Sequence, residues 1–298
     1  MKMAILTRRE AGRLLAMVAG SALTPRLATA TMPINSVIRG VQIGAQSYSF
    51  RDLPLDGCID AYRLVGLGEC ELWEGTLIPP EIVRDAKASR KWRLTVPLKT
   101  IAEARQKFER AGVLVYAFNA RMDKEMSDEE LDRGFRMAQE LGAKCITASA
   151  KLSMAGRVDK VAQKYKMMVG FHGHDNTNDP DEFSTAETFE QAMKGASKYI
   201  GVNLDLGHFV AAGGDPLEFL RRHHERMVTL HLKDRTKNHG PNVAWGEGDV
   251  PIVEVLRMLR DERWKIPANI EYEYGRPGLD TVSEVKKCFE YCRKALET

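Results

Sequence analysis

Residues 200–234 read IGVNLDLGHFVAAGGDPLEFLRRHHERMVTLHLKD and contain one complete repeat of the chain's design. Ile200-Gly201-Val202-Asn203-Leu204 is short and mostly apolar, which predicts a buried strand over 200–204. Asp205-Leu206-Gly207-His208 closes it with a carboxylate and an imidazole. Asp215-Pro216-Leu217-Glu218 then supplies a helix start, with an aspartate cap, a proline in the first helical position and a glutamate in the third. A second apolar run, 227–232, passes through His231 and leads into Lys233-Asp234. Strand, helix and strand in this order make a parallel unit joined by a crossover helix.

Working outward, the same alternation recurs along the chain. Candidate strands are 40–46, 69–73, 113–118, 144–148, 167–172, 200–204, 227–232 and 268–272. Ser127-Asp128-Glu129-Glu130 and Thr281-Val282-Ser283-Glu284 are capping boxes that open helices between or after them. Eight strands alternating with helices over 31–298 predict a single-domain α/β fold, an eight-stranded parallel (β/α)8 TIM barrel. An open doubly wound sheet is the competing arrangement, but no GxGxxG follows the first strand. No linker divides the body.

The composition is that of an ordinary globular protein, 44% hydrophobic and 29% charged over 298 residues. Net charge is +3, but residues 1–30 alone carry five basic groups against one acidic and sum to +4, leaving the body at −1. A near-neutral body argues against a nucleic-acid partner held through phosphate neutralisation. The first 30 residues have the layout of a twin-arginine export signal: Arg8-Arg9, an apolar run over 14–20, Pro25 and the small-residue site Ala28-Thr29-Ala30. That run is too short to span a bilayer. The expectation is a periplasmic protein exported by the twin-arginine route, with no membrane segment once the signal is removed. The five cysteines are odd in number and form no CxxC, so they are read as buried small hydrophobes.

In a barrel of this kind, chemistry sits where strands run out into the following loops. The fifth strand ends in His172-Gly173-His174-Asp175, the sixth in Asp205-Leu206-Gly207-His208, the seventh in His231-Leu232-Lys233-Asp234 and the eighth in Glu271-Tyr272-Glu273-Tyr274. Four of the chain's seven histidines lie at these ends, and a carboxylate accompanies each cluster. Taken singly, each has a structural explanation. Asp205 suits a turn cap, Glu271 suits a lysine partner, and His223, His224 and His239 are read as helix and loop residues. Their conjunction on four successive strands is what a divalent cation requires, and it points to a metal held by His172, Asp205, His231 and one glutamate of the Glu271/Glu273 pair.

The chain resembles the xylose-isomerase-like barrels of the sugar phosphate isomerase/epimerase family. The resemblance rests on Ile43-Gly44-Ala45-Gln46-Ser47-Tyr48-Ser49-Phe50-Arg51-Asp52, on residues 135–143, and on Asp205-Leu206-Gly207-His208, His231-Leu232-Lys233-Asp234 and Gly246-Glu247-Gly248. His172-Gly173-His174-Asp175 is similar to the HNHD motif of one subgroup. The resemblance implies that Asp205 and His231 are metal ligands. It implies Glu273 as the strand-eight ligand, with Glu271 a base or a hydrogen-bonding partner. Many relatives carry Glu where His172 stands. Two imidazoles with two carboxylates favour Mn²⁺, then Zn²⁺, Fe²⁺ or Co²⁺, over Mg²⁺, which prefers oxygen ligands.

The chemistry implied by the family is proton removal beside a carbonyl, through an enediolate, with isomerisation, epimerisation or β-elimination as outcomes. The expected protein is a divalent-metal-dependent sugar isomerase/epimerase-like enzyme acting on a sugar or keto-glycoside. A lyase that eliminates the aglycone from a 3-keto-glycoside is the alternative. Glu271 and His174 are the catalytic candidates, and His208, Lys233, Glu74, Trp245 and Glu247 the substrate-binding ones, the last two on a loop with the length of a lid. An endonuclease-IV-like phosphoesterase and a non-catalytic sugar-binding barrel are further readings. Oligomeric state stays open, a homo-oligomer included.

Overall fold

A computed structural model of the protein describes residues 32–275 and 278–298. The expected signal segment, 1–30, lies outside them. Among the described residues, nine strands form one sheet in sequential order: β1 (Val37–Ile38), β2 (Val41–Gln46), β3 (Glu69–Trp73), β4 (Leu114–Asn119), β5 (Cys145–Ser149), β6 (Met168–His172), β7 (Ile200–Asp205), β8 (Met227–Leu232) and β9 (Ala268–Ile270). The eight strands β2 to β9 are parallel, and β2 pairs with β9, which closes the barrel. Helices follow the strands and cover the outside, so barrel strands are buried on both faces.

β1 was not among the candidate strands. It folds back antiparallel on the start of β2 through Arg39-Gly40, both with positive φ (49° and 88°), the geometry of a two-residue type I′ hairpin. The predicted strands otherwise stand within a residue or two. The largest difference is β9, which stops at Ile270 rather than 272. Two helix starts compare instructively. Ser127 forms the expected reciprocal box with Glu130. At the last helix, Thr281–Glu297, the cap is Asp280 instead of Thr281. The Asp280 carboxylate accepts from the Val282 amide at 3.1 Å, and Thr281 donates to Asp52 at 2.9 Å. A carboxylate at the cap also complements the helix dipole.

All five cysteines are free and buried. No described helix is long and apolar enough to cross a membrane.

Candidate metal centre

Side chains alternate along a strand, so every second residue points into the barrel. On β3 these are Glu69, Glu71 and Trp73. On β7 they are Asn203 and Asp205, on β8 Thr229 and His231 followed by Lys233, and on β9 Asn269 followed by Glu271. Each of His172, Asp205, His231 and Glu271 offers a ligand atom within 4.8 Å of the others, and all four residues are buried. Each also carries a buried polar atom that makes no hydrogen bond: His172 Nδ1, Asp205 Oδ2, His231 Nδ1 and Glu271 Oε2. Unpaired buried polar atoms are costly and rare. Four of them, from four adjacent strand ends, form a donor set that fits a divalent cation with mixed nitrogen and oxygen ligands.

Local structure aims each donor. Asp205 Oδ1 accepts from the His208 amide at 2.7 Å, capping the helix Leu206–Ala211, which leaves Oδ2 for the cluster. The two readings of Asp205, turn cap and ligand, are therefore compatible. His231 Nε2 lies 2.9 Å from Glu71 Oε1, which turns Nδ1 toward Glu271 Oε2, 3.2 Å away. Glu71 is fully buried and gathers donors from around the barrel: Thr147 at 2.6 Å, Asn269 at 3.0 Å, Asn203 at 3.3 Å and Gln46 and Thr229 at 3.4 Å. It orients the imidazole from behind, as carboxylates do for metal-bound histidines. Sequence reasoning missed Glu71. The signal was available, since two glutamates alternate in the five-residue strand Glu69-Cys70-Glu71-Leu72-Trp73, whose other residues are apolar.

On strand eight, where the resemblance favours Glu273 of the pair, the structure brings Glu271 into the four-residue group instead. The Glu271 amide still donates to Leu232 O at 3.0 Å, so Glu271 keeps barrel geometry although the assigned strand ends at Ile270. Glu273 lies beyond that last ladder bond, at the rim, with Oε2 2.7 Å from Lys233 Nζ.

Lys233 is buried among carboxylates, its Nζ 2.7 Å from Glu271 Oε2 and 3.0 Å from Asp205 Oδ2. These approaches are ion pairs without hydrogen-bond alignment, consistent with both oxygens remaining unsatisfied. Burial opposes the ammonium form, but Asp205, Glu271 and Glu273 outweigh it and hold the lysine above its ordinary value. Burial pushes the His172 imidazole well below its ordinary value, assisted by His231 and His174, so it stays neutral as a ligand must. Burial also opposes protonation of His231, yet Glu71 and Glu271 on either side raise it well above, so a cation binding at Nδ1 would displace a proton.

The remaining candidates separate into two groups. His174 is 40% exposed, stands 5.0 Å ring-to-ring from His172 and 3.5 Å from Glu182, and lines a 260 Å3 cavity at the mouth. His208 lies between Lys233, 3.3 Å from its Nε2, and Arg235, 2.6 Å from its Nδ1. Both residues adjoin the donors. Glu74 is instead held by a two-pronged ion pair to Arg93, at 2.7–2.9 Å, in the wall of a cavity between β3 and β4. Trp245 packs edge-on against Tyr291 of the last helix, and Glu247 is exposed. Neither contacts the four donors. Their loop does not hang free over the mouth, because Asp234 accepts from the amides of Gly246, Gly248 and Val250 and pins it. His223 pairs with Glu190 and His224 stacks on Trp264, away from the site, whereas His239 reaches Asp175 at 3.2 Å.

A closed barrel with converging strand-end donors can be compared with known proteins. Residues 81–294 match the family described as the xylose isomerase-like TIM barrel. The chain belongs to that family. A stretch of 121 residues is 32% identical to an inosose dehydratase of Bacillus velezensis, covering 35% of this chain and 39% of that protein. The match thus spans well under half of that relative. An uncharacterized Parabacteroides distasonis protein of known structure is 26% identical, with a TM-score of 0.62 over 86% of this chain and 99% of its own. The IolI protein, solved with a zinc atom, shares the fold at 15% identity, with a TM-score of 0.64 over 86% of this chain and 99% of its own.

Proposed function

We propose that the protein is a divalent-metal-dependent carbohydrate enzyme that eliminates a group β to a carbonyl, a carbon–oxygen lyase acting on a keto-sugar or keto-glycoside. The observation that carries this reading is the set of four buried donor atoms of His172, Asp205, His231 and Glu271 that make no hydrogen bond at the barrel mouth. These residues would hold the cation. When bound, it supplies Lewis-acid stabilisation of negative charge on substrate oxygens. The partial likeness to an inosose dehydratase supports elimination over isomerisation. Isomerisation, the sequence-based expectation, would use the same proton removal.

The chain's own residues account for the rest. His174, half open to the cavity beside the donors, accepts the proton from the carbon next to the carbonyl. The C–H electrons become the new double bond, and the β C–O bond breaks with its electron pair. The departing oxygen takes up a proton, so the products are an unsaturated carbonyl compound and water or an alcohol. Lys233, held cationic among Asp205, Glu271 and Glu273, is placed to donate to a substrate oxygen. Mn²⁺ is the proposed ion on donor chemistry, with Zn²⁺, Fe²⁺ and Co²⁺ also suited.

The test is incubation of the full chain with keto-sugars, keto-glycosides and their unoxidised parents, with and without Mn²⁺ or chelator, followed by mass spectrometry. Loss of water or aglycone from keto substrates alone, abolished by chelation and restored by metal, is expected. Products of unchanged mass would replace the lyase reading with the isomerase one. Metal-independent turnover, or binding without turnover of any substrate, would sink both.

A further inference from the structure

A cavity of about 710 Å3 lies beside the donor cluster, walled by residues at and beyond the ends of β2 and β3, among them Tyr48, Arg51, Trp73, Thr76 and Ile78. A second cavity of about 430 Å3 shares Trp73, Gly75 and Ile78 with the first, and shares Asp123 and Ser149 with the third, where His174 stands. Neighbouring cavities with common walls thus follow one another around the mouth, from His174 to Tyr48. A compartment of about 300–1,000 Å3 takes a drug-sized molecule, so the Tyr48 end alone has room for a further ring beyond the reacting sugar.

That end is built around Trp73. Trp73 follows Glu71 by two residues on the inward face of β3, and Glu71 touches His231. The indole therefore stands one step of about 6–7 Å further up the barrel than a residue in contact with the donor layer. Two contacts fix it. Tyr48 meets it edge-on at 5.0 Å and 85°. On another side a Cβ at Gly75 would lie 2.2–2.5 Å from the six-membered ring, so the indole rests against bare backbone that only glycine provides. Tyr48 is itself covered by Arg51, whose guanidinium carbon is 4.8 Å from its ring and whose Nη1 donates to Tyr272 O at 2.8 Å, tying this wall to the end of β9. The charged side chains here, Arg51 and Arg84 with Asp52 and Asp56, balance.

We infer that the Trp73 compartment is a second binding subsite, which takes a neutral ring with an apolar face, the leaving portion of a substrate whose reacting sugar lies at the donor cluster. A fixed indole stacks on the apolar face of a sugar ring or an aryl group, and balanced charge gives no purchase to a phosphate. This inference rests on the carbohydrate reading above. The ring is either a second sugar or an aromatic aglycone, and the experiment separates them.

The probes are methyl β-glucoside, phenyl β-glucoside, cellobiose and benzyl alcohol, added to the full-length protein with Mn²⁺. Affinity is read by calorimetry, and the Trp73 indole N–H signal by NMR, assigned through Trp73→Phe. One or both ring-bearing glycosides are expected to bind about tenfold tighter than the methyl glycoside and to shift the Trp73 signal. Whichever gains names the ring. Trp73→Ala and Gly75→Ala should each remove that gain while leaving the methyl glycoside unaffected, and Trp73→Phe should keep most of it. Either alanine variant suffices if the other misfolds. Equal affinities, or ring-bearing ligands that bind without moving the Trp73 signal, would overturn the subsite and leave the lyase reading standing. If no glycoside binds but benzyl alcohol shifts Trp73, the ring is an aromatic one and the subsite survives apart from the carbohydrate reading. If no probe shifts Trp73, the subsite is wrong.

Discussion

Asp205 uses its two carboxylate oxygens for different tasks, Oδ1 for the helix cap and Oδ2 for the cluster. Asp205→Asn keeps an oxygen for the cap but removes the anionic donor. The expected result is a folded protein with little bound metal, checked by circular dichroism and elemental analysis. Glu271→Gln and Glu273→Gln make the sharper pair. The first should lose metal and the second retain it, and the opposite pattern would restore the sequence-based assignment. Glu71→Gln tests the residue behind His231. Metal affinity, measured by competition with a chromophoric chelator, should fall about 10–100-fold, the usual cost of losing such a partner. An unchanged affinity would reduce Glu71 to a packing role. The choice between Glu271 and Glu273 was not legible in the sequence. Both share one face of an extended segment, and what separates them is where the ladder to Leu232 ends. Asp205 and His231 were easier to place because each sits at or next to the end of an unmistakable apolar run.

At the scale of elements, the helix Asp128–Glu140 shows how a start signal is made firm. Glu130 serves the capping box and also receives Arg90 through two hydrogen bonds, at 2.5 and 2.8 Å. The Arg90 hydrogen bond, the Ser127 contacts and the nearby charge hold its carboxyl at about 2, against the resistance of burial. Because the folded value lies below the unfolded one, the stabilisation is full above about pH 4.5 and disappears as pH falls toward 2. Glu130→Gln should therefore cost roughly 1–2 kcal/mol at neutral pH, a figure reduced for Arg90's exposure. The gap between variant and wild-type denaturation midpoints should close in acid. A gap that persists at pH 2 would assign the effect to packing. Most strands and the Ser127 box could be read in advance because apolar runs and cap residues act locally. The β1 hairpin could not, since a two-residue strand has no periodicity to detect. Nor could Asp280 be preferred over Thr281 while both could cap.

For the whole molecule, a cation that binds only the folded barrel must stabilise it by mass action. Adding Mn²⁺ to chelator-treated protein should raise the melting temperature by several degrees, and His231→Ala should abolish the rise. A wild-type protein indifferent to every divalent ion would contradict the assigned centre. The export proposal has its own assay. Replacing Arg8 and Arg9 with lysine should retain the protein in the cytoplasm of an expressing cell, and secretion of the double variant would refute the twin-arginine route. The overall barrel was legible because eight repeats of one pattern reinforce each other. The run of cavities around the mouth was not, because its walls come from the irregular loops after β2 to β6, which no local pattern marks.

The placement of donors and cavity wall in different halves of the chain has a consequence for descent. The four donors hang on β6 to β9, in the second half of the chain, while Tyr48 and Trp73 hang on β2 and β3, in the first. Mutations around Tyr48 and Trp73 can therefore reshape what is recognised while the four donors stay in place, provided that Glu71 of β3 is kept behind His231. Recombination near the middle of the gene could give one reactive half a new clientele in a single event.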